Sequence, residues 1–267
     1  MTSDIQRKDM LAVSINQTAL YIIAYWLVVL AQRCSEYFFA SLESLNPVFY
    51  FYGISTSQSG WSAGAVISTY LFGPLLLAFV GFYLVQRWKI LWIKGRMSIA
   101  FSLWLSIHAL SRLLTGGISG FVTKSGLSHV FTYTGIPVFM EILLAGALYG
   151  LFIILARKYA LAVLLASHNQ RLIDEAPYRR WQVRYFLFIP WLAGAGIVSV
   201  FNLAFLSFDD IVSQFLIGFV LMTTHLHLLT DKPEYNVPIP EPFQPQTSRA
   251  LLIIAAVLSL LVVVFAH

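Results

Sequence analysis

The chain has 267 residues, of which 58% are hydrophobic and only 11% charged, against roughly 25% charged in an ordinary soluble domain. With a mean hydropathy of +0.76 this composition excludes a soluble enzyme and describes an all-α, polytopic transmembrane helix bundle. The net charge of +5 does not indicate nucleic acid as a partner, because the basic residues flank apolar segments instead of forming a stripe with interleaved aromatics.

A helix that crosses the hydrocarbon core needs about 20 mostly apolar residues. Seven segments meet or approach that length, at about residues 18–40, 63–85, 97–114, 136–156, 184–206, 211–229 and 250–266. Six is the competing count, because the first segment carries charges. These segments cover the whole length, so residues 1–267 are expected to form a single integral membrane domain. The first segment follows "MTSDIQRKDMLAVSINQ" and lacks a small-residue cleavage site after its apolar run, so it is expected to be a retained span and not a removed signal peptide. Asn16-Gln17-Thr18 fits a glycosylation acceptor. It abuts the first span on the side assigned below to the cytoplasm and is expected to be unmodified.

"FGPLLLAFVGF", residues 72–82, places Gly73 and Pro74 within the second span. A proline there frees a carbonyl and kinks the helix. "TGGISG", residues 115–120, suits a helix stop and a tight turn after the third span. The fourth span is expected to continue as helix through "KYALAVLLASH", and its Gly146 and Gly150 form a small-xxx-small pair suited to a close helix contact. "FDD", residues 208–210, reads as the acidic start of the sixth span. Five of the ten prolines fall in residues 230–249, which predicts an extended cytoplasmic tether before the last span.

Counting Lys and Arg alone tests this division. The N-terminal tail and the even-numbered loops hold fourteen, whereas the odd-numbered loops hold one, Lys124. That asymmetry places the N-terminus and the even-numbered loops in the cytoplasm and the C-terminus outside. The orientation is opposite to that of the seven-helix receptors and rhodopsins, and no lysine lies in the last span to carry a retinal.

The ionisable residues inside the predicted spans are Arg33 and Glu36 on the first, His108 and Arg112 on the third, Glu141 on the fourth, and His225 and His227 on the sixth. At 1.5 Å per residue, the first five lie within about 10 Å of the outer boundary. Arg33 and Glu36 are i, i+3, and His108 and Arg112 are i, i+4, so each pair shares a helix face. An isolated charge in hydrocarbon costs several kcal/mol. The economical arrangement is therefore an outer-leaflet polar network in which Arg33 and Arg112 balance Glu36 and Glu141, with His108 adjacent. His225 and His227 are i, i+2 and face different sides of their helix, and His108 has no histidine at matching depth to share a haem. No metal site and no cofactor are expected, although His168 with His225 and His227 would be the candidate ligands at the cytoplasmic end.

"SEYFFAS", followed by "NPVFYFYGISTSQSGW" and then "FGPLLLAFVGF", resembles the layout of site-2-protease-like intramembrane metalloproteases, in which a first helix carries His-Glu-x-x-His and a Gly-Pro-containing helix follows. The resemblance covers residues 31–85. It lays Glu36 on the glutamate position, with Ser35 and Phe39 where the two histidine ligands belong. Phenylalanine supplies no zinc ligand, so the resemblance implies a degenerate relative without zinc and without the family's catalytic roles.

No P-loop, dinucleotide fingerprint, metal quartet or nucleophile elbow occurs in the sequence. The leading expectation is a non-enzymatic scaffold or subunit of a membrane assembly, in a bacterial inner membrane or a plasma membrane, meeting the lipid bilayer and a membrane-protein partner or further copies of itself. A small transporter or channel using the outer-leaflet network is the alternative. A degenerate protease-like protein is the third.

Overall fold

The computed structural model describes residues 7–50, 53–56, 60–93, 96–166, 175–204, 208–230 and 246–264. The first helix, α1 (Arg7–Leu42), begins eleven residues before the predicted start of the first span. Its extension follows from a buried stripe, Met10, Ser14, Gln17, Tyr21, Tyr25 and Val28, which repeats every three or four residues and so occupies one helix face. At 36 residues it is about 54 Å long, well beyond the roughly 30 Å hydrocarbon core.

Ser44 and Asn46 take left-handed backbone angles just after α1. A short antiparallel hairpin follows, β1 (Pro47–Tyr50) and β2 (Gly53–Thr56), with Pro47 opposite Thr56 and Tyr50 opposite Gly53. The alternation of four-residue pieces is too brief to stand out from the apolar background, and the hairpin has no counterpart in the helical reading. Ile54 of β2, and Trp61 just before α2, lean on buried Ala40, Leu45 and Ala65, closing the end of the bundle between α1 and α2.

Helix α2 (Ala63–Ile93) runs unbroken through Pro74. It packs along α3 (Arg96–Leu114), where Gly81 allows the close approach: a Cβ there would stand 3.0 Å from the Ser106 carbonyl oxygen. The glycines of "TGGISG" do not end in a turn, contrary to the expectation from sequence. They open a further helix, α4 (Gly116–Thr123), because small residues let it lie against the fourth span; a Cβ on Gly117 would meet Ala145 Cα at 3.2 Å. After α4, Lys124 and Gly126 adopt positive φ, and a second short helix, α5 (Leu127–Tyr133), completes the connection.

Helix α6 (Val138–Ala166) continues through "KYALAVLLA". Gly146 and Gly150 have nothing within 4 Å of an added Cβ, so they make no close contact among the described residues. Beyond α6, α7 (Ala176–Val183), a π-helical turn (Arg184–Phe188) and α8 (Ile189–Ala204) follow one another. Then come α9 (Phe208–Thr230) and α10 (Arg249–Val264).

Six helices are long and apolar enough to cross a membrane, at Asp9–Leu42, Ala63–Arg87, Met97–Leu114, Val138–Leu164, Pro177–Leu203 and Phe208–Leu228. The seventh predicted segment forms α10, whose apolar part is shorter. The chain is thus an all-α bundle by the length and composition of its helices, with α1 at the centre, touching α2, α3, α8 and α10. Most of the Pro-rich tether lies outside the described residues. Its far end is held by Asn16, which donates from Nδ2 to the Gln246 carbonyl at 2.9 Å and accepts from the Ser248 N–H at 2.8 Å. Asn16 is itself buried, with its amide engaged at both ends.

Candidate functional site

The buried charges gather at the end of the bundle where α1 and α3 finish and α9 begins. On α1, one helical turn places Gln32, Arg33 and Glu36 together. Arg33 Nη1 donates to both Glu36 carboxylate oxygens, at 3.1 and 2.8 Å, and Gln32 Nε2 donates to Glu36 Oε1 at 2.8 Å. The i, i+3 spacing makes this pair local.

Arg112 of α3 does not pair with Glu141. Its Nη1 donates to Asp210 Oδ1 in the first turn of α9, and Arg33 Nη2 approaches the other oxygen of Asp210 at 3.9 Å. A chain of charge therefore runs Glu36, Arg33, Asp210, Arg112 across α1, α9 and α3. Asp210 also sits where the positive end of a helix dipole favours an anion. Sequence reasoning had assigned the acids of "FDD" to the helix start alone. Depth counting held the missing signal, because α9 begins at the level where α3 ends.

Glu141 is buried on α6, one turn before Ala145, along the thin enclosed stripe of the otherwise exposed first turns of that helix. At this level the stripe meets α4, where Gly117 lies against Ala145, and among the described residues no ion pair joins Glu141 to either arginine. Among the described residues Glu141 Oε1 has no hydrogen-bond partner.

His108 is fully buried one turn below Arg112. It stands edge-on to Tyr21 and Tyr25, with ring centroids at 4.5 and 5.5 Å, and its ring nitrogens have no side-chain partner among the described residues. It belongs to an aromatic box around α1. There the Tyr21 hydroxyl meets Gln214 Oε1, Asn202 Nδ2 donates to the Tyr25 hydroxyl at 2.6 Å, and Trp104 Nε1 donates to Gln17 Oε1 at 2.8 Å. The Arg112 guanidinium lies 5.5 Å from the centre of the Tyr25 ring, joining the box to the charge chain by a cation–π contact.

Gly73 and Pro74 bear on the same region. A Cβ on Gly73 would stand 3.1 Å from Ser35 Oγ, so the glycine lets α2 close on the charged turn of α1. Pro74 lines a cavity that also touches Arg112, Asp209, Asp210 and Ser213. Ser213 shares a 2.7 Å hydroxyl contact with Thr115, a second polar link between α9 and the end of α3.

No protein-family model, curated protein or solved structure matches this chain. The chemistry of the site therefore rests on its own residues. Among the described residues no three His, Cys, Asp or Glu side chains come close enough to hold a metal ion. His225 and His227 lie on α9, and His168 is outside the described residues. Glu36, which occupies the glutamate position of the protease-like pattern, is engaged by Arg33 and Gln32. What the arrangement does chemically is match buried charge between helices and enclose a small polar space.

Proposed function

We propose that this chain is a non-enzymatic integral membrane protein that serves as a scaffold or subunit of a larger membrane assembly, with its N-terminus in the cytoplasm. The observation that supports the reading is the charge chain. Two guanidiniums and two carboxylates are matched across α1, α3 and α9, so the strongest polar groups of the layer brace the bundle and are not presented to a substrate.

The broad apolar faces agree with this role. On the first half of α6, Phe139, Met140, Leu143 and their neighbours are exposed, and Ile154 follows, leaving a surface for lipid and for another membrane protein. The test is gentle extraction into a native-lipid particle followed by native mass spectrometry. A stoichiometric companion or a defined homo-oligomer is the expected result, and a lone monomer would overturn the proposal.

One observation favours a second reading, a small transporter or channel: the cavity beside the charge chain. Flux through reconstituted vesicles that is lost on Asp209→Asn would decide for it.

A further inference from the structure

The cavity between α1, α2, α3, α4 and α9 measures about 20 Å³, room for one water molecule. Its lining includes Gln32, Tyr70, Arg112, Ser119 and Asp209. Four polar atoms of these residues are sealed from solvent and lack a partner among the described residues: Gln32 Oε1, Arg112 Nε, Ser119 Oγ and Asp209 Oδ1. Ser119 is itself almost wholly buried. Buried polar groups are rarely left unsatisfied, and here a donor, two acceptors and a hydroxyl belong to residues that line one space of the right size. A water placed there would accept from Arg112 Nε and donate to Gln32 Oε1 and Asp209 Oδ1. Pro74 takes a helical donor away from the Tyr70 carbonyl, so the same small region holds a further acceptor.

Charge decides what else the space holds. In this layer Glu36, Asp209 and Asp210 face Arg33 and Arg112, and the pairs already described match the two arginines with Glu36 and Asp210. Asp209 is left. The other titratable groups nearby do not balance it. Tyr70 of α2 rests on His129 of α5, Lys124 lies over the Phe121 ring, and Glu141 of α6 is another acid. An anion without a counter-charge in such a setting is costly, and binding one positive charge removes the cost.

We propose that Asp209 and this cavity form a water-filled proton-binding site. The carboxylate takes up a proton that enters from solvent and is relayed through the water, which gives one proton to Asp209 as it receives another and so stays neutral; the neutral acid then donates its O–H toward the amide oxygen of Gln32. Arg112 Nε projects a donor into the same space, which disfavours an alkali cation and suits a water that accepts from it. Asp209 is only partly buried as a residue, which gives the proton a route from the end of the bundle where α1 finishes. The inference goes beyond the scaffold role and holds equally for a transporter.

Infrared difference spectroscopy on the full chain in nanodiscs, titrated with acid in choline, sodium or potassium buffer, tests it. The expected result is a protonated-carboxyl carbonyl band that grows on acidification, is lost in Asp209→Asn and keeps its midpoint when choline is exchanged for sodium or potassium. Ser119→Ala leaves every charge in place, and it is expected to keep the band at a displaced frequency even if Asp209→Asn fails to fold. An Asp209→Asn spectrum equal to wild type, a band unmoved in Ser119→Ala, or a band suppressed by sodium at fixed pH would each overturn the proposal.

Discussion

Replacing Asp210 with asparagine removes the carboxylate that joins α9 to both arginines while keeping the side-chain shape. The Arg112 and Asp210 side chains are 7% and 5% exposed, so Arg112 is left charged and unpaired inside the bundle. Breaking a buried pair from one side costs about 3–5 kcal/mol. Arg112→Gln is expected to cost less, because Asp210 keeps Arg33 at 3.9 Å. In Arg112→Gln combined with Asp210→Asn, two neutral amides replace the pair and no orphaned charge remains. The double variant should therefore be more stable than Asp210→Asn alone, with a coupling of about 1–3 kcal/mol. Unfolding in bicelles, followed by circular dichroism across a denaturant series, measures all four proteins. Strictly additive losses would refute the reasoning, since they would mean that the two side chains do not act on each other.

The same assay checks Glu141→Gln with Arg112→Gln, for which additive losses are expected because the structure separates the two residues. Gly194→Ala should destabilise by about 1–3 kcal/mol through overpacking, since the new Cβ would stand 2.8 Å from Tyr21 Cγ; Gly218→Ala, set against the Trp191 ring, should behave alike. Gly146→Ala and Gly150→Ala, with open space around them, should stay within about 0.5 kcal/mol of wild type. Asn16→Ala removes two hydrogen bonds to the segment before α10 and should raise the rate of limited proteolysis between residues 231 and 245. For orientation, in a Cys34→Ser background, a cysteine at Lys124 should react with an impermeant maleimide on intact cells, while one at Arg87 should react only after lysis.

Sequence spacing reached some of this site and missed the rest for identifiable reasons. Arg33 and Glu36 are neighbours on one helix, so their contact follows from helical geometry. Arg112 and Asp210 are 98 positions apart, and their contact depends on which side of α3 faces α9. Depth counting ranks residues along the bundle axis but says nothing of direction around it, and for that reason Glu141 was paired with the wrong side of the bundle. The glycines at 116, 117 and 120 carried two meanings, turn and close contact. Only the neighbour Ala145 shows that contact prevails at Gly117. Gly146 and Gly150 carried the same two meanings and resolved the other way, toward open space. The hairpin at residues 47–56 was hidden because two four-residue strands are shorter than any periodic signal.

The separation between the two ion pairs also orders events during synthesis. Arg33 and Glu36 lie within one turn of α1, so the charges at this end of the helix are matched as soon as the helix has been made. Arg112 has no such companion on α3. Its carboxylate arrives only after 98 further residues, roughly 5–20 s later at ordinary elongation rates. Throughout that interval the third helix carries a guanidinium without its carboxylate, and the pair is completed only once the first turn of α9 has been made.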